Sequence, residues 1–230
     1  MKIVFVILIC LSTFSLEKKV LEVAATNFPG LSVVKNQRPT GALIDILKEI
    51  ETKTQYHFEI KFYPWVRSQS LAESSDVDIL LGPYKSPARE KIYLFSESPI
   101  LRDQVVLLSR FKTTWSGDNT KLKDMNIIHI RGWVNDPKYD KEIKAKKDYM
   151  AKDFATGIKM LDSQRTNYMI ANKRSYLEMK KNGLIPDGIK ILSPIISNQD
   201  LYMAFPRNAK GRVLKREIDE LIKKYKLTKY

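Results

Sequence analysis

Residues 41–82 read GALIDILKEIETKTQYHFEIKFYPWVRSQSLAESSDVDILLG, and the hydrophobic period switches from one segment to the next. Leu43, Ile46, Leu47 and Ile50 recur at three- and four-residue spacing, which predicts a helix. His57 to Tyr63 alternates, which predicts a strand. Pro64 then opens a short helix reaching about Ser74, at a position where its missing N–H costs no hydrogen bond. Asp78-Ile79-Leu80-Leu81-Gly82 is a short apolar run, as in a strand covered on both faces. Upstream, Val20 to Ala25 supplies a first strand, followed by the turn formers Asn27-Phe28-Pro29-Gly30. Strand, helix, strand, helix, strand requires right-handed crossovers around a parallel core.

The rhythm then restarts. Gln104 to Ser109 and Asn126 to Ile130 read as strands, the second ending at Arg131-Gly132-Trp133. A lysine-rich helix around Asp140 to Lys147 leads to a strand over Tyr149 to Phe154 and a helix near Ala155 to Asp162. Thr166 to Ile170 reads as a strand, followed by a helix through Asn182, and Ile189 to Leu192 and Leu201 to Phe205 as two more strands. Leu214, Ile218, Leu221, Ile222 and Tyr225 stripe a closing amphipathic helix. Two α/β units fit 230 residues better than one sheet carrying every strand, and their junction is a natural ligand cleft.

Composition narrows the function. The single cysteine, Cys10, and two isolated histidines, His57 and His129, leave little material for a metal site, a thiol enzyme or a Ser-His triad; no metal or cofactor is expected. Forty Lys+Arg against 26 Asp+Glu give a formal charge of +14, but acids are interspersed among the basic residues. That pattern describes solvated helix faces, so no nucleic-acid partner is expected. Residues 1–15, MKIVFVILICLSTFS, have a basic start, an apolar run too short to span a bilayer, and small residues at a cleavage position. They read as a secretory signal peptide, which places the mature chain in the periplasm without a cysteine.

Several motifs stand together in order. Gly41-Ala42-Leu43-Ile44-Asp45-Ile46-Leu47, Tyr63-Pro64-Trp65-Val66-Arg67, Asp76-Val77-Asp78-Ile79-Leu80-Leu81-Gly82, Ser86-Pro87-Ala88-Arg89-Glu90-Lys91 and Phe95-Ser96-Glu97-Ser98-Pro99 carry a resemblance. The chain resembles the extracellular solute-binding proteins of family 3, the polar amino-acid receptors of bacterial ABC importers, in the divergent branch with Pro-Trp-x-Arg. The resemblance implies a type II periplasmic-binding-protein fold, two α/β lobes joined by two hinge strands near Val105 to Arg110 and Asp200 to Phe205. Lobe one would be discontinuous, residues 16–108 plus 206–230; lobe two would be 109–199, with 200–205 as the second hinge strand.

The same resemblance nominates a site. Arg89, in the Ser-Pro-x-Arg turn, matches the arginine that pairs with the ligand's carboxylate, a role suited to a planar guanidinium fork; the alternative is a surface arginine paired with Glu90 or Glu97. Phe28 and Trp65 stand where the family places aromatic walls, with core packing as the other reading. Tyr84 and Lys85 follow the buried strand, where main-chain groups hold ligand, and their side chains could be mere rim. Arg131-Gly132-Trp133 replaces a Gly-Thr or Gly-Ser turn, exchanging a small hydroxyl for bulk. Asn172 stands where the family usually carries the aspartate that takes an α-ammonium, and Asn167 where another acid is often found. A cleft without those acids favours anionic or neutral ligands.

The expected protein is thus a monomeric receptor that captures a small carboxylate-bearing solute and hands it to an ABC permease in the inner membrane, with no bond chemistry. Two other classes are open. A cyclohexadienyl-dehydratase-like enzyme needs a positioned acid, for which Glu73, Glu97 and Asp103 are candidates. A soluble ligand-sensing partner of a membrane receptor needs only the cleft.

Overall fold

The computed structural model describes residues 18–133 and 147–227; the expected signal peptide and nearly all of the lysine-rich helix of Asp140 to Lys147 lie outside them. The first unit comprises β1 (Lys19–Ala25), a hairpin of β2 (Val33–Lys35) and β3 (Arg38–Thr40), α1 (Ala42–Thr52), β4 (Tyr56–Phe62), α2 (Trp65–Glu73), β5 (Ile79–Tyr84), α3 (Pro87–Ile92) and β6 (Tyr93–Phe95). After β7 (Leu101–Ser109) come β8 (Asn126–Ile130), β9 (Lys147–Ala151), α4 (Phe154–Asp162), β10 (Tyr168–Asn172) and α5 (Lys173–Lys181). The long β11 (Lys190–Pro206) and α6 (Ala209–Tyr225) close the chain.

A nine-stranded sheet runs in the order β4-β1-β5-β11-β7-β10-β8-β9, with β6 added on β11. β4, β1 and β5 are mutually parallel at one end, and β10, β8 and β9 at the other. Between them β7 and β11 run antiparallel to each other, and each pairs with strands of one end: β11 with β5, β7 with β10. The two α/β lobes are therefore joined by two strands. β11 pairs with β7 first through Lys190–Leu192 and again through Ser197–Leu201, with a register shift between Leu192 and Ser197. The two short strands expected at Ile189 to Leu192 and Leu201 to Phe205 are thus one strand interrupted by a bulge, which bends a strand without ending it.

Local sequence explains the elements. α1 buries Leu43, Ile44, Ile46, Leu47 and Ile50, the predicted face. Ile79 and Leu80 are fully buried on opposite faces of β5, as a strand with helices on both sides requires. Each such side chain contributes about 1.5–3 kcal/mol. Gly41 enters α1 at φ 121°, with Leu31 O only 2.5 Å from where a Cβ would stand. The expected strand at Tyr149 to Phe154 stops instead at Ala151, because Asp153 caps α4 by accepting from Thr156 N at 2.8 Å and Phe154 turns into the core. The strand expected at Thr166 to Ile170 lies two residues later, since Thr166 Oγ1 bonds Tyr168 N and Tyr168 O in a local turn. α6 returns to β11 and β6, burying Leu214, Ile218 and Ile222.

Candidate functional site

β5 ends at Tyr84, and Ser86 then caps α3 by accepting from Arg89 N at 3.3 Å, with Pro87 in the first turn. That short helix aims Arg89 inward: the residue is only 5% exposed, which excludes the surface-arginine reading. Its Nη1 donates to Tyr84 O at 3.0 Å, while Nη2 donates to Gln69 Oε1 and to Gly132 O, each at 3.1 Å. The guanidinium carbon stands 5.4 Å from the centre of the Trp65 ring. These three acceptors are neutral oxygens.

The third of them comes from the turn after β8. Gly132 O also accepts from Trp65 Nε1 at 2.9 Å and Gln69 Nε2 at 3.4 Å, so three donors from lobe one converge on a single carbonyl of lobe two. Gly132 sits at φ 74°, with Val66 Cγ2 2.9 Å from where a Cβ would be, so the approach depends on a bare backbone. Trp133 follows the carbonyl inward. Its ring is stacked 6.1 Å from Tyr84 and lies 5.7 Å from Phe28, which in turn is 5.8 Å from Trp65. A cavity of about 280 Å³ lies beside this turn, bordered by residues that include Phe28, Tyr63, Trp65, Ile130 and Asp153.

The far end of Tyr84 meets a second polar group. Its hydroxyl accepts from Asn172 Nδ2, and Asn172, at the junction of β10 and α5, is 1% exposed. Beside them on β7 lies Asp103, 5% exposed. Asp103 Oδ1 accepts from Gln104 N at 2.8 Å and Arg174 N at 3.4 Å. Asp103 Oδ2 and Asn172 Oδ1 are buried with no donor. Burial pushes the Asp103 carboxyl above the usual carboxylate range, against the lowering effects of those two backbone N–H groups, the Arg174 charge and the Asn172 amide. The Tyr84 hydroxyl is pushed up as well, by burial first and by the Asp103 charge second.

The structure therefore brings Arg89, Phe28, Trp65, Tyr84, Gly132 and Trp133 into one cluster, with Asn172 at its end. Tyr84 is no rim residue: it is 4% exposed and touches Arg89, Trp133 and Asn172 at once. Lys85 turns elsewhere, with Nζ 4.6 Å from the Tyr202 ring centre and 5.7 Å from that of Phe95. Arg131 is exposed, as is Asn167, which precedes β10 instead of lying within it. Of the three candidate acids, Glu73 and Glu97 are exposed and only Asp103 is buried. Sequence reasoning missed Gln69, although it stands four residues after Trp65 and so on the same face of α2. Asp103 was nominated only as a candidate acid for the enzyme reading; lying between Arg102 and Gln104, it carried no local signal that set it apart.

Solved structures share the fold. A histidine kinase sensor domain similar to periplasmic binding proteins superposes with a TM-score of 0.79 at 15% identity, covering 91% of this chain and 92% of that one. An ancestral arginine-binding protein bound to glutamine gives 0.75 at 19% identity, covering 90% and 92%. The truncated, arginine-bound ArgBP from T. maritima gives 0.74 at 17% identity, covering 90% and 96%. At such identities the likeness is one of fold, the type II periplasmic-binding fold. No curated protein matches the chain in sequence. The family model of the bacterial extracellular solute-binding proteins, family 3, matches residues 21–228, nearly the whole chain, and the protein belongs to that family.

Proposed function

We propose that the protein is a periplasmic receptor that captures a small carboxylate-bearing solute between its lobes and delivers it to an ABC importer. In this reading lobe one is residues 16–108 with 206–230, lobe two is 109–199, and β7 and β11 flex between them. The observation that carries it is the buried Arg89 fork, held by Gln69 and Tyr84 of its own lobe and meeting Gly132 O of the other. A carboxylate in place of that carbonyl would make a charge-assisted, bidentate contact, about twice as strong as a neutral bond. The Gly132–Trp133 turn stands in for the solute: its carbonyl takes the fork and its indole fills the space between Phe28 and Tyr84. Capture then means exchanging a self-contact for a ligand, and affinity is set by the difference between the two closed states. No bond chemistry is required.

A thermal-shift screen of the purified protein against L-amino acids, dicarboxylates and small peptides tests this. A ligand at about 100 times its dissociation constant adds roughly 2.7 kcal/mol and raises the melting temperature. Arg89→Ala is expected to abolish every carboxylate hit; a hit that survives it would place the anchor elsewhere. The likeness to a kinase sensor domain supports a second reading, a ligand-sensing partner of a membrane receptor. Ligand-dependent stimulation of ATP hydrolysis by a reconstituted importer from the same cell favours transport; ligand-dependent binding to a sensor kinase ectodomain favours sensing.

A further inference from the structure

Resting on that reading, we propose that the solute is an aryl carboxylate, a flat aromatic ring joined to its carboxylate through an arm of three atoms, with the Gly132–Trp133 turn as its internal counterpart. Three N–H donors converge on Gly132 O: Trp65 Nε1 at 2.9 Å, Arg89 Nη2 at 3.1 Å and Gln69 Nε2 at 3.4 Å. A carbonyl oxygen has two lone pairs, so the donors outnumber what it can accept. A carboxylate offers two oxygens with about four acceptor sites, and its charge suits the guanidinium. The donor set is thus larger than the neutral group it holds and matches an anionic one.

The indole of Trp133 defines the other end of the solute. Its plane is inclined 29° to the Tyr84 ring and 31° to that of Phe28, with centroids 6.1 and 5.7 Å away. Two walls nearly parallel to one guest favour a flat unsaturated group over a bulky saturated one. Trp133 is itself only partly buried, so its ring is not locked into the core. Covalent connectivity fixes the spacing between the two ends. From the Gly132 carbonyl carbon to the indole run three atoms, the N, Cα and Cβ of Trp133. Indole-3-butanoate has the same count, with three methylenes in their place. An aromatic α-amino acid has only two atoms between carboxylate and ring, and with its ring in the slot its carboxylate falls one atom short of the donors. Arg89 also stands 5.4 Å from the Trp65 ring centre, so a cationic group drawn to the same aromatic cluster meets a like charge. A neutral ring does not.

The experiment is a calorimetric titration of the purified protein with indole-3-acetate, indole-3-propanoate, indole-3-butanoate and 5-(indol-3-yl)pentanoate. 4-Phenylbutanoate and 4-cyclohexylbutanoate are titrated beside them, as are L-tryptophan, L-arginine, L-glutamine and succinate. Burial of one more methylene would by itself tighten each step of the series by about fourfold. The proposal expects an optimum instead: indole-3-butanoate binds about tenfold or more tightly than both the propanoate and the pentanoate. 4-Phenylbutanoate is expected to bind about threefold or more tightly than its cyclohexyl counterpart. This series is read on the wild type, so the test does not depend on the folding of a variant. Arg89→Ala is expected to abolish binding of the butanoate, and Trp133→Ala to keep the order of affinities while tightening all of them. A steady gain with chain length, or a cyclohexyl compound equal to the phenyl one, would overturn the proposal. So would an amino acid or succinate that binds in an Arg89-dependent way and more tightly than every aryl carboxylate, although the carboxylate receptor would then stand. No binding by any of these compounds would instead remove the receptor reading beneath the proposal.

Discussion

In the proposed reading, Trp133 is the residue on which affinity turns. Its ring is stacked on Tyr84 and tilted against Phe28, and the carbonyl before it takes the hydrogen bonds of Arg89, Trp65 and Gln69. Each aromatic pair contributes about 0.5–1.5 kcal/mol beyond its buried area. On that proposal a ligand displaces those contacts before it gains its own, which would make Trp133 an internal competitor. Trp133→Ala is expected to tighten binding of a carboxylate ligand by about tenfold, since about 1.4 kcal/mol of competing closure is removed. Titration calorimetry on the two proteins reads this directly. Weaker binding in the variant would show that the indole is a wall of the occupied site and not a plug. The residue scale also shows where sequence reading stopped. Arg89, Phe28 and Trp65 stand in short contiguous stretches, so the family resemblance those stretches carry was enough to nominate them. Asp103 and Asn172 are sixty-nine positions apart and meet only because β7 and β10 pair, with Asn172 facing Val105 in the register. No local pattern reports such a meeting.

The element that presents the proposed anchor is small. α3 spans six residues and has little helical stability of its own, because a helix of that length forms few bonds for the entropy of nucleating it. Two local devices compensate: Pro87 presets the first turn, and Ser86 Oγ accepts from Arg89 N. Ser86 is itself buried, so losing its hydroxyl removes a buried bond to Arg89 N. Ser86→Ala is expected to lower stability by about 1 kcal/mol. It is also expected to weaken carboxylate binding severalfold, because the backbone that positions the guanidinium loosens. Chemical denaturation gives the first quantity and calorimetry the second; unchanged affinity would show that Arg89 is held by its side-chain bonds alone. Most elements were legible in the same local terms. α1, α2, β5 and α6 lie where apolar spacing and proline placement put them, since each buries one face against the sheet. The misses included the β2–β3 hairpin, α3 and β6, boundaries set by side-chain bonds at Asp153 and Thr166, and the union of two expected strands into β11. That union is decided by pairing with β7, a partner more than eighty residues away.

At the scale of the whole molecule, the closed arrangement carries an electrostatic cost that a pH titration exposes. The chain has a formal charge of +14, yet the junction of the lobes buries a carboxyl with one oxygen unpartnered. Burial pushes the Asp103 carboxyl above its ordinary value, whereas in the unfolded chain it returns to the usual carboxylate range. Between those two values the folded protein holds a proton that the unfolded chain releases. By linkage, stability falls as pH rises through that window, and below it both states are protonated and the cost vanishes. This is opposite in sign to a carboxylate stabilised by an ion pair. Asp118 has that opposite sign, its carboxyl held low mainly by the Thr120 hydroxyl, though it is solvent-exposed and contributes little. Because many groups titrate together, the useful quantity is the difference between wild type and Asp103→Asn. Melting temperatures measured without ligand from about pH 4 to pH 8 are expected to diverge with rising pH, the variant gaining on the wild type until the folded carboxyl is fully ionised. Tyr84, Arg174 and the Asn172 amide face the same carboxyl and are common to both proteins, so the divergence belongs to position 103. Parallel curves would mean that the carboxylate finds a donor in solution, from Arg174 or from water, and that the lobe junction is not the charge trap described.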